Sequence, residues 1–162
     1  MTEAEFVGFR DRAIANYADA MVRSGQWLEL SARAQAEEPT SRRLPDGVNS
    51  ANALLLTALD EEERVIAHAW IDLPDSPFRG REAWIYFIEI LPEYRGQHLG
   101  RRLLEAFESR LRQEEQHLIV LNVFTHNSAA RSLYESSGYD VVAVTMSKWL
   151  SEDPMRRRFD SI

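Results

Sequence analysis

One stretch of the chain limits its fold more than any other: residues 82–90 (EAWIYFIEI) lead through a short loop into an amphipathic segment. Aromatic and β-branched residues of this kind favour a strand. Beyond the loop, apolar residues recur at intervals of three and four, which predicts a helix over about residues 98–115. A strand followed by such a helix indicates a sheet that is covered by helices. The apolar face of the helix comprises Leu99, Leu103, Leu104, Phe107 and Leu111.

Two helices are predicted ahead of the sheet. Residues 2–23 predict the first helix. Thr2 and Glu5 have the spacing of a capping box, in which both side chains accept hydrogen bonds from free backbone N–H groups at the helix start. Gly25 is expected to end this helix, because glycine readily takes the left-handed conformation that follows a last helical turn. Residues 27–38 predict a second helix, which Pro39 is expected to end before a loop that reaches residue 50.

The period of the apolar residues changes after residue 50. Residues 52–59 and 64–72 are predicted to form strands joined by an acidic turn, which is a hairpin pattern. Early hairpins and later strand–helix–strand crossings predict an α/β (α+β) fold, with a mixed, largely antiparallel sheet flanked by helices. The elements predicted after the central helix are a strand at 117–124, a helix at 128–137 that stops at Gly138, and a strand at 139–148.

Length and composition narrow the class of protein. The 162 residues fit one domain, predicted at residues 1–150 with a polar tail at 151–162. The chain contains no Cys, which excludes disulfides and thiol chemistry. No apolar run approaches the roughly 18 residues of a membrane span, and the first residues lack the pattern of a signal peptide. We therefore expect a cytoplasmic protein with no membrane partner.

The net charge of −7 bears on possible ligands. An acidic surface repels phosphate backbones, so no nucleic-acid partner is expected. A cationic substrate such as an amine would be attracted instead. The four histidines show none of the spacings typical of metal ligands, so no metal site is expected.

The loop at residues 91–100 carries the strongest chemical signal. A helix start presents unpaired N–H groups and the positive end of the helix dipole, and both favour phosphate. Gly96 allows the backbone to approach an anion closely, while Arg95 and Arg101 add positive charge. These features indicate a pyrophosphate-binding loop. The structural alternative is that Gly96 serves a turn and Gly100 lets the helix pack closely on the sheet.

Two common phosphate-binding motifs do not fit this loop. A nucleotide-hydrolysing P-loop needs a lysine after its second glycine, and the loop contains none. The dinucleotide-binding pattern G-x-G-x-x-G also differs from the spacing of Gly96 and Gly100.

Two blocks of the sequence resemble the GNAT superfamily of acyl-CoA-dependent N-acyltransferases. Residues 90–92 (ILP) and 95–100 (RGQHLG) are similar to the family's strand end and its [RQ]-x-x-G-x-[GA] motif, with His98 in the place of the usual first glycine. Residues 127–139 (NSAARSLYESSGY) are similar to the family's N-x-x-A-x-x-[LF]-Y-x-x-x-G-[FY]. The helical pair at 2–38 resembles that of a bacterial subgroup of the family.

The resemblance implies a GNAT-like fold, acetyl-CoA as co-substrate, and direct transfer of its acetyl group to a primary amine of a small molecule or peptide. It assigns the acyl-CoA-binding core to residues 52–149 and the acceptor side to the helical pair. The expected partners are acetyl-CoA and an amine acceptor, and the protein is expected to be a monomer or homodimer. The residues implied to contact acetyl-CoA are Ile90, Leu91, Arg95, Gly96, Gln97, His98, Leu99, Gly100, Arg101, Asn127 and Tyr134.

Two residues are candidates for proton transfer. Tyr134 matches the family's tyrosine, whose hydroxyl lies by the CoA sulfur and acts as a general acid; position alone also fits a core tyrosine. Glu89 is the candidate base, directly or through water, because a carboxylate in an apolar strand is costly unless it is paired or functional. A salt bridge with an arginine and simple exposure are its alternatives. Strict alternation along the strand places Tyr86 with Ile88 and Ile90, on the face opposite Glu89.

Two other functions are open from the sequence. The first is a non-catalytic module of the same fold that binds or senses acyl-CoA. The second is a protein that binds a nucleotide or another phosphate ligand through residues 95–102.

Thermal melting with different ligands separates these functions. Acetyl-CoA and CoA are expected to raise the melting temperature by a few degrees, because a ligand at a hundred times its Kd stabilises the folded state by roughly 2.7 kcal/mol. ATP and NAD are the controls and are expected to have no effect. A shift with ATP and none with CoA would favour the phosphate-ligand function instead.

Overall fold

A computed structural model describes residues 1–73 and 81–148. These residues pack as two compact units, one containing Met1–Arg10 and the described part of Arg42–Asn122, and the other containing Asp11–Ser41 and residues 123–148. The helices are α1 (Glu3–Arg23), α2 (Glu29–Arg43), α3 (Leu99–Gln113) and α4 (Ser128–Ser136). The strands are β1 (Ala53–Leu59), β2 (Val65–Asp72), β3 (Glu82–Ile90) and β4 (Leu118–Leu121).

The predicted start and end of α1 are confirmed. The backbone N–H of Thr2 donates to the Glu5 carboxylate at 2.6 Å, and the N–H of Glu5 donates to the Thr2 hydroxyl at 3.3 Å. These bonds complete a capping box and hold the pKa of Glu5 below its ordinary value. At the other end, Gly25 has a φ of 67° and its N–H donates to the carbonyl of Val22.

The prediction that Pro39 ends the second helix is wrong. Helix α2 continues through Pro39 to Arg43. Proline removes one backbone donor, but it does not force an end where the following turn has other support. The hydroxyl of Thr40, which is buried, donates to the carbonyl of Ala36 at 2.8 Å and ties the turn around the proline. The predicted loop therefore shrinks to the residues after α2, which include a 3-10 helix at Gly47–Asn49.

The second unit contains the main part of this helical pair. Its core is made of small and branched side chains, with Ile14 and Ala18 from α1 against Ala32 and Ala36 from α2. The rings of Tyr17 and Trp27 meet edge to face at 5.3 Å beside it. A predominance of alanine in such a contact allows two helices to approach closely.

The strands of the first unit form one mixed sheet in the order β1-β2-β3-β4. Strands β1, β2 and β3 pair antiparallel, which confirms the predicted hairpin, and β4 joins β3 in parallel. The parallel pairing follows from the right-handed crossover that α3 makes between two strands. The predicted fold class, a mixed sheet flanked by helices, is confirmed.

The main core lies between α3 and one face of this sheet. The strands contribute small buried residues, so that the bulky side chains of the helix can fit against them. The sheet side of the core comprises Ala67, Ala69, Ile71, Ala83 and Ile85, and the helix side comprises Leu103, Phe107 and Leu111. The predicted apolar face of α3 is confirmed.

Strand β3 contains a bulge at Tyr86. Phe87 lies opposite Trp70 of β2, and Ile85 lies opposite the next residue, Ile71. Tyr86 between them therefore has no partner position in β2. A bulge of this kind breaks the alternation of faces. The ring of Tyr86 lies 5.1 Å from that of Trp70, on the face away from α3. The prediction that Tyr86 shares a face with Ile88 is therefore wrong, because strict alternation holds only without an inserted residue.

The end of the described chain differs most from expectation. Strand β4 has four residues, not the predicted eight, since β3 pairs with it only over Glu82–Ile85. The strand predicted at 139–148 is wrong: these described residues form neither strand nor helix. Val142 is 86% exposed and Met146 is 90% exposed. A local preference for β structure does not make a strand unless another strand supplies the hydrogen bonds.

No helix in residues 1–73 and 81–148 has the length and apolar character to cross a membrane.

The core predicts a large difference between two leucine substitutions. Leu111, which is 1% exposed, faces the sheet, whereas Leu30 on α2 is fully exposed. Leu111→Ala is expected to lower the free energy of unfolding by about 2–5 kcal/mol through lost burial and a residual cavity. Leu30→Ala, the matched control, is expected to change it by less than about 0.5 kcal/mol. Urea denaturation measures both, and equal effects would contradict the position of α3 in the core.

Candidate active site

The loop between β3 and α3 is held by its own side chains. A 3-10 helix at Pro92–Tyr94 begins it, and the N–H of Tyr94 donates to the carbonyl of Leu91 at 2.9 Å. The Arg95 guanidinium reaches back and donates from Nε to the carbonyl of Ile90 at 3.0 Å. The Gln97 amide donates to the carbonyl of Glu93 at 3.2 Å. Arg95 and Gln97, both predicted to contact acetyl-CoA, therefore also shape the loop.

Two positions in this loop take the left-handed backbone conformation. Gly96 has a φ of +74°, and no atom lies within 4 Å of the place where a Cβ would stand. His98 has a φ of 56° and a ψ of 24°, a conformation that is unusual for a residue with a Cβ. His98 stands where the family motif has its first glycine, and its φ gives the physical reason for a glycine there.

The N-terminus of α3 is suited to an anion. Helix α3 starts at Leu99, directly after His98, and the His98 side chain makes no capping hydrogen bond. The N–H groups of a first helical turn have no partners within the helix, and the dipole adds about half a positive charge there. Leu99, Gly100 and Arg101 supply three of these groups. A pyrophosphate needs such a set of convergent donors.

One edge of β3 separates from β4 beside this loop. The pairing ends at Ile85 with Leu121, directly before the bulge. The Leu91 N–H donates to the carbonyl of Ile66 at 2.9 Å, so it faces β2 and is engaged there. Because N–H directions alternate along a strand, those of Ile88 and Ile90 face the opposite edge, where β4 no longer pairs with β3.

Glu89 is buried beside a histidine. Its side chain is 4% exposed, and its Oε1 lies 3.4 Å from Nδ1 of His68, whose side chain is 5% exposed. The two residues are direct neighbours across β2 and β3. Of the alternatives for Glu89, simple exposure is thus excluded, and His68 is one ionisable group in contact with it.

Aromatic rings close this pair off on the side of α1. Phe9, which is fully buried, lies 5.8 Å from the ring of His68 and 5.7 Å from the ring of Phe87. Phe87 lies next to the bulge, and Glu89 shares its face two residues further on. The first turns of α1 therefore cover the same face of the sheet on which Glu89 lies.

The second unit contains the other predicted motif. Asn127 caps α4, since its side chain accepts a hydrogen bond from the N–H of Ala130 at 3.3 Å. Tyr134 lies two turns further along α4, and its ring is 5.5 Å from that of Tyr139. Burial raises the pKa of the Tyr134 hydroxyl above its ordinary value of 10.0. Gly138 has a φ of +91° and follows the end of the helix, as predicted.

The first unit thus brings together Glu89 and the predicted acetyl-CoA contacts from Ile90 to Arg101, while Asn127 and Tyr134 lie on α4 of the second. Sequence reasoning missed His68 as a neighbour of Glu89. Both are polar residues within apolar strands, which was a usable signal. Their pairing depends on the register of β2 with β3, and no short turn specifies that register.

Two further features involve α1 and α2. Arg43, at the end of α2, lies over the ring of Tyr86 at 4.5 Å from its centre. Separately, a pocket of about 330 Å³ between α1 and α2 is lined by small residues and by charges of both signs, among them Asp19 and Arg33. Over residues 1–73 and 81–148, no three His, Asp or Glu residues are grouped as a metal site requires.

The sequence pattern of the acetyltransferase (GNAT) family matches residues 20–139. This range includes the loop, both candidate proton-transfer residues and α4. The chain belongs to the acetyltransferase (GNAT) family.

Individual GNAT proteins match most of the chain. YdgE of Bacillus subtilis, an uncharacterised N-acetyltransferase, is 29% identical over 150 residues, 93% of this chain and 95% of YdgE. YycN of the same organism, also an uncharacterised N-acetyltransferase, is 30% identical over 93% of this chain and 96% of its own. The crystal structure of YycN covers 94% of this chain and 96% of its own, with a TM-score of 0.87. The mycothiol acetyltransferase of Kocuria rhizophila is 31% identical over 70% of this chain and 41% of its own.

The backbone at residue 98 predicts the effect of two substitutions. His98→Gly is expected to have a free energy of unfolding about 1 kcal/mol larger than His98→Ala, because only alanine keeps a Cβ in the left-handed conformation. Both variants should keep the melting shift caused by CoA, since backbone N–H groups form the proposed anion site. Urea denaturation gives the stability of each variant. Equal stability of the two would contradict the left-handed conformation.

Proposed function

We propose that this protein is an acetyl-CoA-dependent N-acetyltransferase that transfers an acetyl group directly to a primary amine of a small molecule or peptide. The observation that supports it most is the loop before α3, where a left-handed residue directly precedes the helix start. This arrangement leaves the first N–H groups of α3 pointing out of the helix, as a pyrophosphate requires.

Separate groups of the first unit bind the pyrophosphate, polarise the thioester and remove the proton. The N–H groups of Leu99, Gly100 and Arg101 hold the pyrophosphate of acetyl-CoA. The N–H groups of Ile88 and Ile90, on the open edge of β3, polarise the thioester carbonyl in the manner of an oxyanion hole. Glu89 accepts the proton that an ammonium must lose before its nitrogen attacks the carbonyl carbon.

Tyr134 donates a proton to the CoA thiolate as it leaves. A general acid must stay protonated at the pH of the reaction. Because burial raises the pKa of the Tyr134 hydroxyl, the neutral form persists to a higher pH than for an exposed tyrosine. Loss of activity through deprotonation of Tyr134 should therefore begin at a higher pH than it would with an exposed tyrosine.

The proposed acceptor is an amine, and the charge of the protein and the names of its relatives bear on which amines should be tested. The net charge of −7 favours a cationic molecule over an anionic one. YdgE and YycN are named as N-acetyltransferases without a stated substrate, and the mycothiol acetyltransferase is named for a small molecule. A peptide with a free N-terminus, spermidine and an aminoglycoside represent three classes of amine that differ in size and charge.

Replacement of one hydroxyl tests the chemical role of Tyr134. Tyr134→Phe is expected to lower kcat by about a factor of ten to a hundred, because general acid catalysis contributes at least this much, and to leave the KM for acetyl-CoA nearly unchanged. Tyr139→Phe is the matched control, since its ring contacts that of Tyr134 and the exchange also removes one hydroxyl.

Release of the CoA thiol measures these rates. A thiol reagent reports it without background from the protein, because the chain has no Cys. A wild type that binds acetyl-CoA but acetylates none of the three amine classes would favour the non-catalytic acyl-CoA-binding module. Full activity of Tyr134→Phe would refute the role of Tyr134 as general acid.

A further inference from the structure

A row of polar side chains crosses the three antiparallel strands of the sheet. Thr57 of β1 lies opposite His68 of β2, and His68 lies opposite Glu89 of β3. Directly opposed residues on neighbouring strands point to the same face, so the three side chains share it. His68 and Glu89 are among the few buried polar residues of the described chain. Three polar residues in one row are costly to bury unless they act together.

The contact within the row is specific to one nitrogen of the imidazole. Nδ1 of His68 lies 3.4 Å from Oε1 of Glu89, and both side chains are at least nine-tenths buried. The opposite ring nitrogen, Nε2, points away from Glu89 because the two nitrogens lie on different sides of the ring. An imidazole in this position can hold the carboxylate and can also exchange a proton with it.

Three elements of the first unit bring side chains to His68. From α1, the ring of Phe9 lies against the imidazole, and the carboxylate of Glu5 in the first turn interacts with it electrostatically. From β3 the facing ionisable group is Glu89, and from β1 the facing side chain is the uncharged Thr57. Glu89 is thus a buried ionisable group in contact with His68, and Glu5 is a more exposed one.

We propose that His68 is a positioning residue for the acetyl transfer: it holds the Glu89 carboxylate towards the acceptor and shares the proton that Glu89 removes from the amine. This rests on the proposed function, in which Glu89 is the general base. Neither the GNAT motifs nor the charge pattern of the sequence pointed to His68.

The proton balance of this step is simple. The substrate ammonium gives one proton to the Glu89 carboxylate, and its nitrogen then has the lone pair that attacks the thioester. The neutral imidazole accepts that proton at Nδ1, which leaves an imidazolium beside a carboxylate. After the product departs, the pair returns the proton to water, so both groups start the next turnover unchanged.

The pairing also answers a physical difficulty of the site. A buried carboxylate without a partner favours its protonated form, which cannot act as a base. A neutral imidazole in contact can take the proton from the protonated carboxyl and so returns Glu89 to its ionised form. The proton that Glu89 removes then does not stay on the buried carboxyl.

A spectroscopic test of the pair needs no acceptor. The ring nitrogen signals of His68 are compared by NMR in the full-length wild type and in Glu89→Gln. Because the Glu89 carboxyl lies at Nδ1, Glu89→Gln is expected to change the Nδ1 signal more than the Nε2 signal. Unchanged ring signals in the variant would overturn the proposal.

A kinetic test separates positioning from a structural role. His68→Asn keeps an amide near the place of Nδ1 but cannot exchange a proton. With an amine that the wild type acetylates, it is expected to lower kcat about tenfold and to change the KM for acetyl-CoA by less than twofold. The acid limb of its pH–rate profile should move, because Glu89 then takes up the proton without the imidazole that shares it. His117→Asn, at an exposed histidine before β4, is the matched control and should behave as wild type.

The outcomes distinguish the two proposals. A wild type that acetylates no amine refutes the proposed function, whereas an active wild type with an unaltered His68→Asn profile refutes only the role of His68. If His68→Asn melts much earlier than wild type, His68→Gln and the NMR comparison replace it, because Glu89→Gln leaves the imidazole in place. A drop in kcat without movement of the acid limb would show a structural role and would also overturn the proposal.

Discussion

The packing of α3 on the sheet is the interaction on which the rest of the first unit depends. Leu103, Phe107 and Leu111 fit against a sheet face whose central residues include Ala67 and Ala69, so helix and sheet approach closely. This contact holds the helix axis beside β3. The short loop then has to deliver the chain from the end of β3 to the start of α3. The position of the first N–H groups of α3 is therefore a consequence of core packing.

The bulge at Tyr86 gives β3 two different ends. Before it, β3 pairs on both edges, with β2 and with β4, and Ala83 and Ile85 face α3. After it, β3 no longer pairs with β4. The α3 face, which odd-numbered residues occupy before the bulge, is occupied after it by the even-numbered Ile88 and Ile90. The inserted residue thus lies where β3 leaves β4, and Glu89 beyond it lies on the face that the first turns of α1 cover. A small irregularity in one strand accounts for both features.

The row of Thr57, His68 and Glu89 does not have the character of a stabilising element. A buried ion pair contributes little to stability, because the attraction only offsets the loss of hydration of both groups. A well-packed apolar pair in the same place would fold as well or better. Two ionisable groups in contact at the end of β3 therefore support the proposed catalytic role more than a role in folding. Buried ionisable groups concentrate at functional sites in proteins generally.

Local patterns predicted the elements that depend on neighbouring residues. The capping box of Thr2 and Glu5, the hairpin, the apolar face of α3 and the cap of α4 by Asn127 all involve contacts within a few positions along the chain. The motifs at residues 90–100 and 127–139 also indicated the family correctly. Predictions from local residue preference were wrong at two places. Helix α2 continues past Pro39, and residues 139–148 do not form a strand.

By itself, the sequence determined the type and order of the elements through α4, the glycine-containing loop and the chemical character of its candidate residues. Only the tertiary structure decided the register of β2 against β3, the bulge at Tyr86 and hence the contact between His68 and Glu89. The physical reason is the connection between these strands. A tight turn specifies register through its geometry, whereas the register of β2 with β3 is set by how the side chains of both strands pack against α3 and α1.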